Sequence, residues 1–147
     1  MKDLNVLVNN QLLFGLSESQ LRMLADVAEE KVFTAGETIV REGEMGDSLV
    51  IIISGKADLI KMKKDGSEVI LATCLKGAFF GEMTLINIEP RSATIRATED
   101  TEVIFLKNTA LGDIFQTERE LFIVLLINIT RIISKRLRQA NNRLMDT

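Results

Sequence analysis

Histidine is missing from this chain altogether, and cysteine occurs once, at Cys74. Without an imidazole there is no Ser–His or Cys–His nucleophile pair, no His-dependent acid–base catalyst and no ordinary metal-hydrolase centre. A single thiol can neither close an internal disulfide nor build a thiolate metal site, and it suits a reducing compartment. No run approaches the ~20 uninterrupted apolar residues of a membrane-spanning helix, so no membrane partner is expected. The opening MKDLNVLVNN places polar residues where a secretory signal carries an apolar core, which makes the cytoplasm the expected location. Long repeats and low-complexity linkers are also lacking. Together these absences point away from an enzyme, and neither catalytic residues nor a metal is expected.

What is present has globular composition. Of 147 residues, 46% are apolar and 27% charged, enough for one hydrophobic core and too few for two. Charge is uneven: residues 1–116 carry 12 Lys+Arg against 18 Asp+Glu, whereas 117–147 carry 6 against 3. A basic end can mark nucleic-acid binding, but a solvated helix face is the plainer reading. No second helical unit follows it as a DNA reader, so DNA binding by the chain itself is not expected.

Residues 1–147 read as one domain in three parts. Up to about residue 28 the pattern is helical: Ser17-Glu18-Ser19-Gln20 is a capping box, followed by Leu21, Leu24, Ala25 and Ala28 at helical spacing. From 30 to 107 the chain is strand-like and holds seven of the nine glycines. Runs rich in β-branched residues lie at 50–54, 57–62, 68–74 and 102–106, and Asp65-Gly66 predicts a hairpin turn. Short strands at this spacing predict a sandwich or small barrel. From 108 to 147 the chain is helical again, with a long helix expected from Thr117, where Thr-Glu-Arg-Glu forms a second capping-box pattern. Ile123, Leu126, Thr130, Ile133, Leu137, Ala140 and Leu144 alternate steps of three and four, a coiled-coil seam. A second row, Phe122, Leu125, Ile129 and Ile132, stops at Arg136. One row can cover the barrel and the other a partner, so a homodimer through residues 117–147 is expected.

Chemistry concentrates at 79–94, FFGEMTLINIEPRSAT. If a strand follows Pro90, alternation puts Arg91 on the face of Ala93, Ile95 and Ala97, which a barrel would bury. A guanidinium keeps its charge, so a buried Arg91 requires an anion. Glu82 could supply one internally; a bound phosphate is the alternative. Gly81 ahead of a helix-like run, Glu82 to Ile86, favours phosphate, because glycine admits close approach and first-turn N–H groups lack internal partners. Met83, Leu85 and Ile86 are expected to fix that turn against the barrel. Glu82, repelled by phosphate, makes sense as acceptor for a sugar hydroxyl beside it, and Ser92 offers a further hydroxyl to the phosphate or a base.

Phe80-Gly81-Glu82-Met83-x-Leu85 with Pro90-Arg91-Ser92-Ala93-Thr94 resembles the phosphate-binding cassette of cyclic nucleotide-binding domains, as in bacterial catabolite activators and kinase regulatory subunits. Phe33-x-Ala35-Gly36-Glu37 and Glu42-Gly43-Glu44-x-Gly46-Asp47-Ser48 look like that family's early barrel strands, and Arg136-Leu137-Arg138 with Asn141 is similar to the activators' dimer helix. The resemblance implies a mainly β fold with flanking α: a β-roll or jelly-roll barrel (double-stranded β-helix) with N-terminal helices and a long C-terminal helix. It implies that Arg91 binds the exocyclic phosphate oxygens and Glu82 the ribose 2′-hydroxyl, while Phe80, Gly81, Met83, Ser92 and Ala93 line phosphate and sugar. In the activators a threonine of the dimer helix contacts the base; Ala140 stands there, and Asn141 either replaces that contact or is simply solvated. The expected ligand is cAMP, with cGMP as the alternative, and no other cofactor.

The resulting expectation is a small intracellular sensor whose C-terminal helix relays occupancy to an unidentified effector protein. A degenerate domain serving only in dimerisation, with Glu82 and Arg91 paired, is the competing reading. A cupin-like enzyme would need histidines that this chain lacks.

Overall fold

The computed structural model describes residues 7–145. After a 3-10 turn at Gln11–Leu13 comes α1 (Glu18–Val27), then strands β1 (Glu29–Phe33), β2 (Thr38–Val40), β3 (Ser48–Ser54), β4 (Ala57–Met62), β5 (Glu68–Cys74) and β6 (Phe79–Phe80). A second 3-10 turn, Glu82–Leu85, precedes β7 (Thr94–Ala97) and β8 (Thr101–Lys107), and the chain closes with α2 (Asn108–Thr117) and α3 (Arg119–Met145). The strands form two four-stranded antiparallel sheets, ordered β1-β8-β3-β6 and β2-β7-β4-β5. This is a mainly β jelly roll with helices at both ends, and no described helix is long and apolar enough to cross a membrane.

Strand periodicity explains why β3 is buried on both faces. Leu49, Ile51 and Ile53 join Ile104 and Leu106 of β8 in a core shared with the helices. Val50 and Ile52 point the other way and join Val103, Ile95, Ala97 and Cys74 between the sheets. The Asp65-Gly66 hairpin forms as expected: Gly66 takes φ +89°, and Asp65 Oδ1 accepts from the Ser67 N–H at 2.9 Å.

Both helical ends lean on the first core. The Ser17 capping box closes reciprocally, with Gln20 N–H donating to Ser17 Oγ (3.2 Å) and Ser17 N–H to Gln20 Oε1 (2.9 Å). Leu21, Leu24 and Ala25 of α1 are buried, as are Leu121, Leu125 and Ile129 of α3. Asn128 of α3, also buried, donates through Nδ2 to the carbonyls of Leu12 and Phe14 at 2.8 Å each. The second capping box does not form. Thr117 ends α2 instead, its hydroxyl donating to the Ile114 carbonyl, and α3 begins two residues later.

Candidate ligand-binding site

Arg91 reaches its place by a different backbone route from the one alternation suggested. β7 begins only at Thr94, so residues 91–93 are not strand. They are held by the loop before β3. Gly43 N–H donates to the Arg91 carbonyl (2.9 Å), Arg91 N–H to the Glu44 carbonyl (2.7 Å) and Gly46 N–H to the Glu89 carbonyl (2.8 Å). The side chain still turns inward, but strand parity does not explain it, because the alternation stops at Thr94. Its Nη2 donates to the Ser48 carbonyl at 2.8 Å and lies 3.4 Å from Ser48 Oγ, while Nη1 is buried without a hydrogen-bond partner. Burial lowers the guanidinium's affinity for its proton, and Asp47 and Glu44 act in the opposite direction. An arginine cannot answer that burial by deprotonating, so Nη1 is an unsatisfied cationic donor.

Gly81 lies directly over that donor. It adopts φ +80°, ψ 19°, the left-handed conformation that side chains rarely take. A Cβ built there would overlap Arg91 Nη1 and come within 2.7 Å of the Ser48 carbonyl oxygen. The turn that follows has no side-chain cap, so its first N–H groups have no side-chain acceptor. It spans only four residues, too short for a substantial helix dipole. Leu85 packs on the core, but Met83 and Ile86 are 36% and 51% exposed and do not anchor the turn. Buried Thr84 anchors it instead, its hydroxyl donating to the Gly81 carbonyl at 2.6 Å.

A cavity of about 750 Å³ opens beside these groups, within the range that small-molecule sites occupy. Seven of the residues singled out in the sequence line it: Phe80, Gly81, Glu82, Met83, Arg91, Ser92 and Ala93. Ser92 is solvent-exposed, and its carbonyl accepts from Lys61 Nζ at 2.7 Å. Asn141 is the exception: it lies outside that lining, exposed on α3. Residues 135–145 of α3 are all exposed, so the helix runs clear of the barrel before reaching it.

Glu82 is only 7% exposed, yet it does not pair with Arg91. Its Oε1 accepts from Arg136 Nη1 at 2.6 Å, and the Arg136 guanidinium sits 5.6 Å from the centre of the Phe79 ring. Arg136 therefore belongs to the cavity wall, although sequence reasoning did not select it. The signal was available: it extends the row Phe122, Leu125, Ile129 and Ile132 by one more helical step. Cys74 also lines the cavity, its thiol pKa pushed up first by burial and then by Asp58.

The family profile described as "Cyclic nucleotide-binding domain" matches residues 30–118. A "CRP-like cAMP-activated global transcriptional regulator" of Mycobacterium tuberculosis is 30% identical over 132 residues, 90% of this chain and 57% of that protein. A "cAMP-dependent protein kinase regulatory subunit" of Blastocladiella emersonii is 36% identical over 86 residues, 58% of this chain and 21% of that protein. Among solved structures, the N-terminal domain of a transcriptional regulator from Streptomyces coelicolor A3(2) superposes with a TM-score of 0.81 at 29% identity, covering 95% of this chain and 94% of that one. The chain thus spans little more than half of one curated relative and about a fifth of the other.

Proposed function

The chain belongs to the cyclic nucleotide-binding domain family, and from that premise we propose that it is a cAMP sensor whose long helix responds to occupancy of the 79–94 cassette. The observation that carries the reading is the buried, unbonded Nη1 of Arg91 beneath Gly81. A cyclic phosphate supplies the anion it lacks, with the exocyclic oxygens accepting from Arg91 and from N–H groups of the 81–83 segment. Glu82 accepts from the ribose 2′-hydroxyl. Phe80, Met83, Ser92 and Ala93 complete the phosphate and sugar wall.

Arg136 gives the helix a stake in the site. It holds Glu82 from α3, so a sugar hydroxyl and the helix meet at one carboxylate. Nucleotide favours one helix arrangement over another to the extent that it alters this contact, since equal affinity for both would shift nothing. The apolar seam of α3 supports a homodimer: Ile123, Ile133, Leu137 and Leu144 are 52%, 37%, 60% and 73% exposed. Ser92 can serve either purine, and both curated relatives described above carry cAMP in their names. The signal then passes to an effector protein, and the domain itself acts by binding rather than catalysis.

A nucleotide of roughly 22 heavy atoms at ~0.3 kcal/mol each binds with about −7 kcal/mol, a micromolar-scale dissociation constant. Thermal unfolding with cAMP, cGMP and 5′-AMP tests the reading. At 100 times the dissociation constant, ligand adds about 2.7 kcal/mol to stability. The expected order of melting temperatures is cAMP above cGMP, with 5′-AMP ineffective. Equal shifts by all three nucleotides would remove the cyclic phosphate from the account.

A further inference from the structure

Both halves of the phosphate site converge on a residue that belongs to neither. Asn108 is the first residue of α2. Its Nδ2 donates to the Thr84 carbonyl at 3.0 Å, and its Oδ1 lies 3.2 Å from the Thr84 hydroxyl. That hydroxyl gives its one proton to the Gly81 carbonyl at 2.6 Å, so Asn108 grips the turn that overlies Arg91 through its Nδ2. The backbone N–H of Asn108 donates to the Asp47 carbonyl at 2.9 Å. The next residue, Ser48, supplies the carbonyl that holds Arg91 Nη2. One residue thereby ties the glycine turn and the support of the arginine to the start of a helix.

We infer that Asn108 is a positioning residue that couples the 81–85 turn to α2, and through α2 to the long helix. This rests on the reading that a cyclic nucleotide enters the cassette. Thr84 is 8% exposed, so its polar groups cannot exchange Asn108 for water without cost. An asparagine near a helix start commonly bonds its own backbone, whereas this one donates its amide to the Thr84 carbonyl. A phosphate that shifts the turn therefore shifts the first turn of α2 with it. Only Glu118 separates α2 from α3, and α3 carries Arg136 back to Glu82. The turn is thus held at Thr84 by one end of the helical segment and at Glu82 by the other.

The test is amide hydrogen exchange along residues 133–143, with and without saturating cAMP, in the full chain and in Asn108→Ala and Thr84→Val. Wild type is expected to change protection there on binding. Asn108→Ala is expected to bind cAMP about three- to tenfold more weakly, the effect of one lost hydrogen bond, and to lose at least half of that change. Thr84→Val, nearly isosteric, is expected to lose part of the same change and to add little when combined with Asn108→Ala. It also serves if the alanine variant folds poorly. A full wild-type response in both variants that bind cAMP overturns the inference. A wild type that binds without any response overturns it too, by removing the relay, and a wild type that does not bind instead overturns the ligand reading beneath it.

Discussion

Arg136 Nη1 stands 2.6 Å from Glu82 Oε1, joining the long helix to the cassette across 54 residues of sequence. The two ends are unequal, with the arginine side chain 54% exposed and the glutamate 10%. The pair itself is screened on the arginine side and contributes little, as half-exposed pairs do. Its importance lies in what the glutamate would lack without it.

Arg136→Ala leaves a nearly buried carboxylate short of its donor, an omission that costs about 1–2 kcal/mol after allowance for screening. The melting temperature of ligand-free protein is expected to fall by roughly 2–8 °C. Differential scanning calorimetry reads it, and an unchanged midpoint would show that Glu82 is satisfied without the helix.

Gly81→Ala meets two obstacles at once. Its backbone would be strained at φ +80°, and its methyl would collide with Arg91 Nη1 and the Ser48 carbonyl. The expected result is a loss of about 1–3 kcal/mol of stability together with at least tenfold weaker cAMP binding. Urea unfolding and a binding isotherm measure the two effects. Wild-type affinity in this variant would mean that the turn does not have to lie where it is seen.

Leu137→Glu places charge in the exposed seam of α3 without touching the barrel core. Sedimentation equilibrium at micromolar concentration is expected to give two chains for wild type and one for the variant, with cAMP binding retained in both. A single-chain mass for wild type would contradict the dimer.

Much of this fold could be read in advance because its strands carry their own signal. The runs at 50–54, 57–62, 68–74 and 102–106 became β3, β4, β5 and β8 with ends within two residues. β1 escaped because Glu29, Glu30, Lys31 and Val32 are all exposed; pairing with β8 makes them a strand. β6 is two residues long and defined by its partner β3. Thr117 matched a local capping pattern, but α2 had already claimed it. The cassette was legible because Arg91 and Gly81 are demanding residue types. Asn108 was not, since what it does depends on a contact 24 residues away, and for Arg136 only its place on the helix row was legible, not its partner 54 residues away.

On the proposed reading Arg91 is kept for a ligand and not for the fold. Calorimetric titration of nucleotide-free protein with cAMP, on wild type and Arg91→Met, tests it most directly. Wild type is expected to bind one cAMP per chain with a dissociation constant on the order of micromolar. Arg91→Met should lose at least a hundredfold in affinity while melting no lower than wild type, because it removes a buried cation with an unbonded donor. No heat from wild type with either cAMP or cGMP, or equal binding by the variant, would contradict the account.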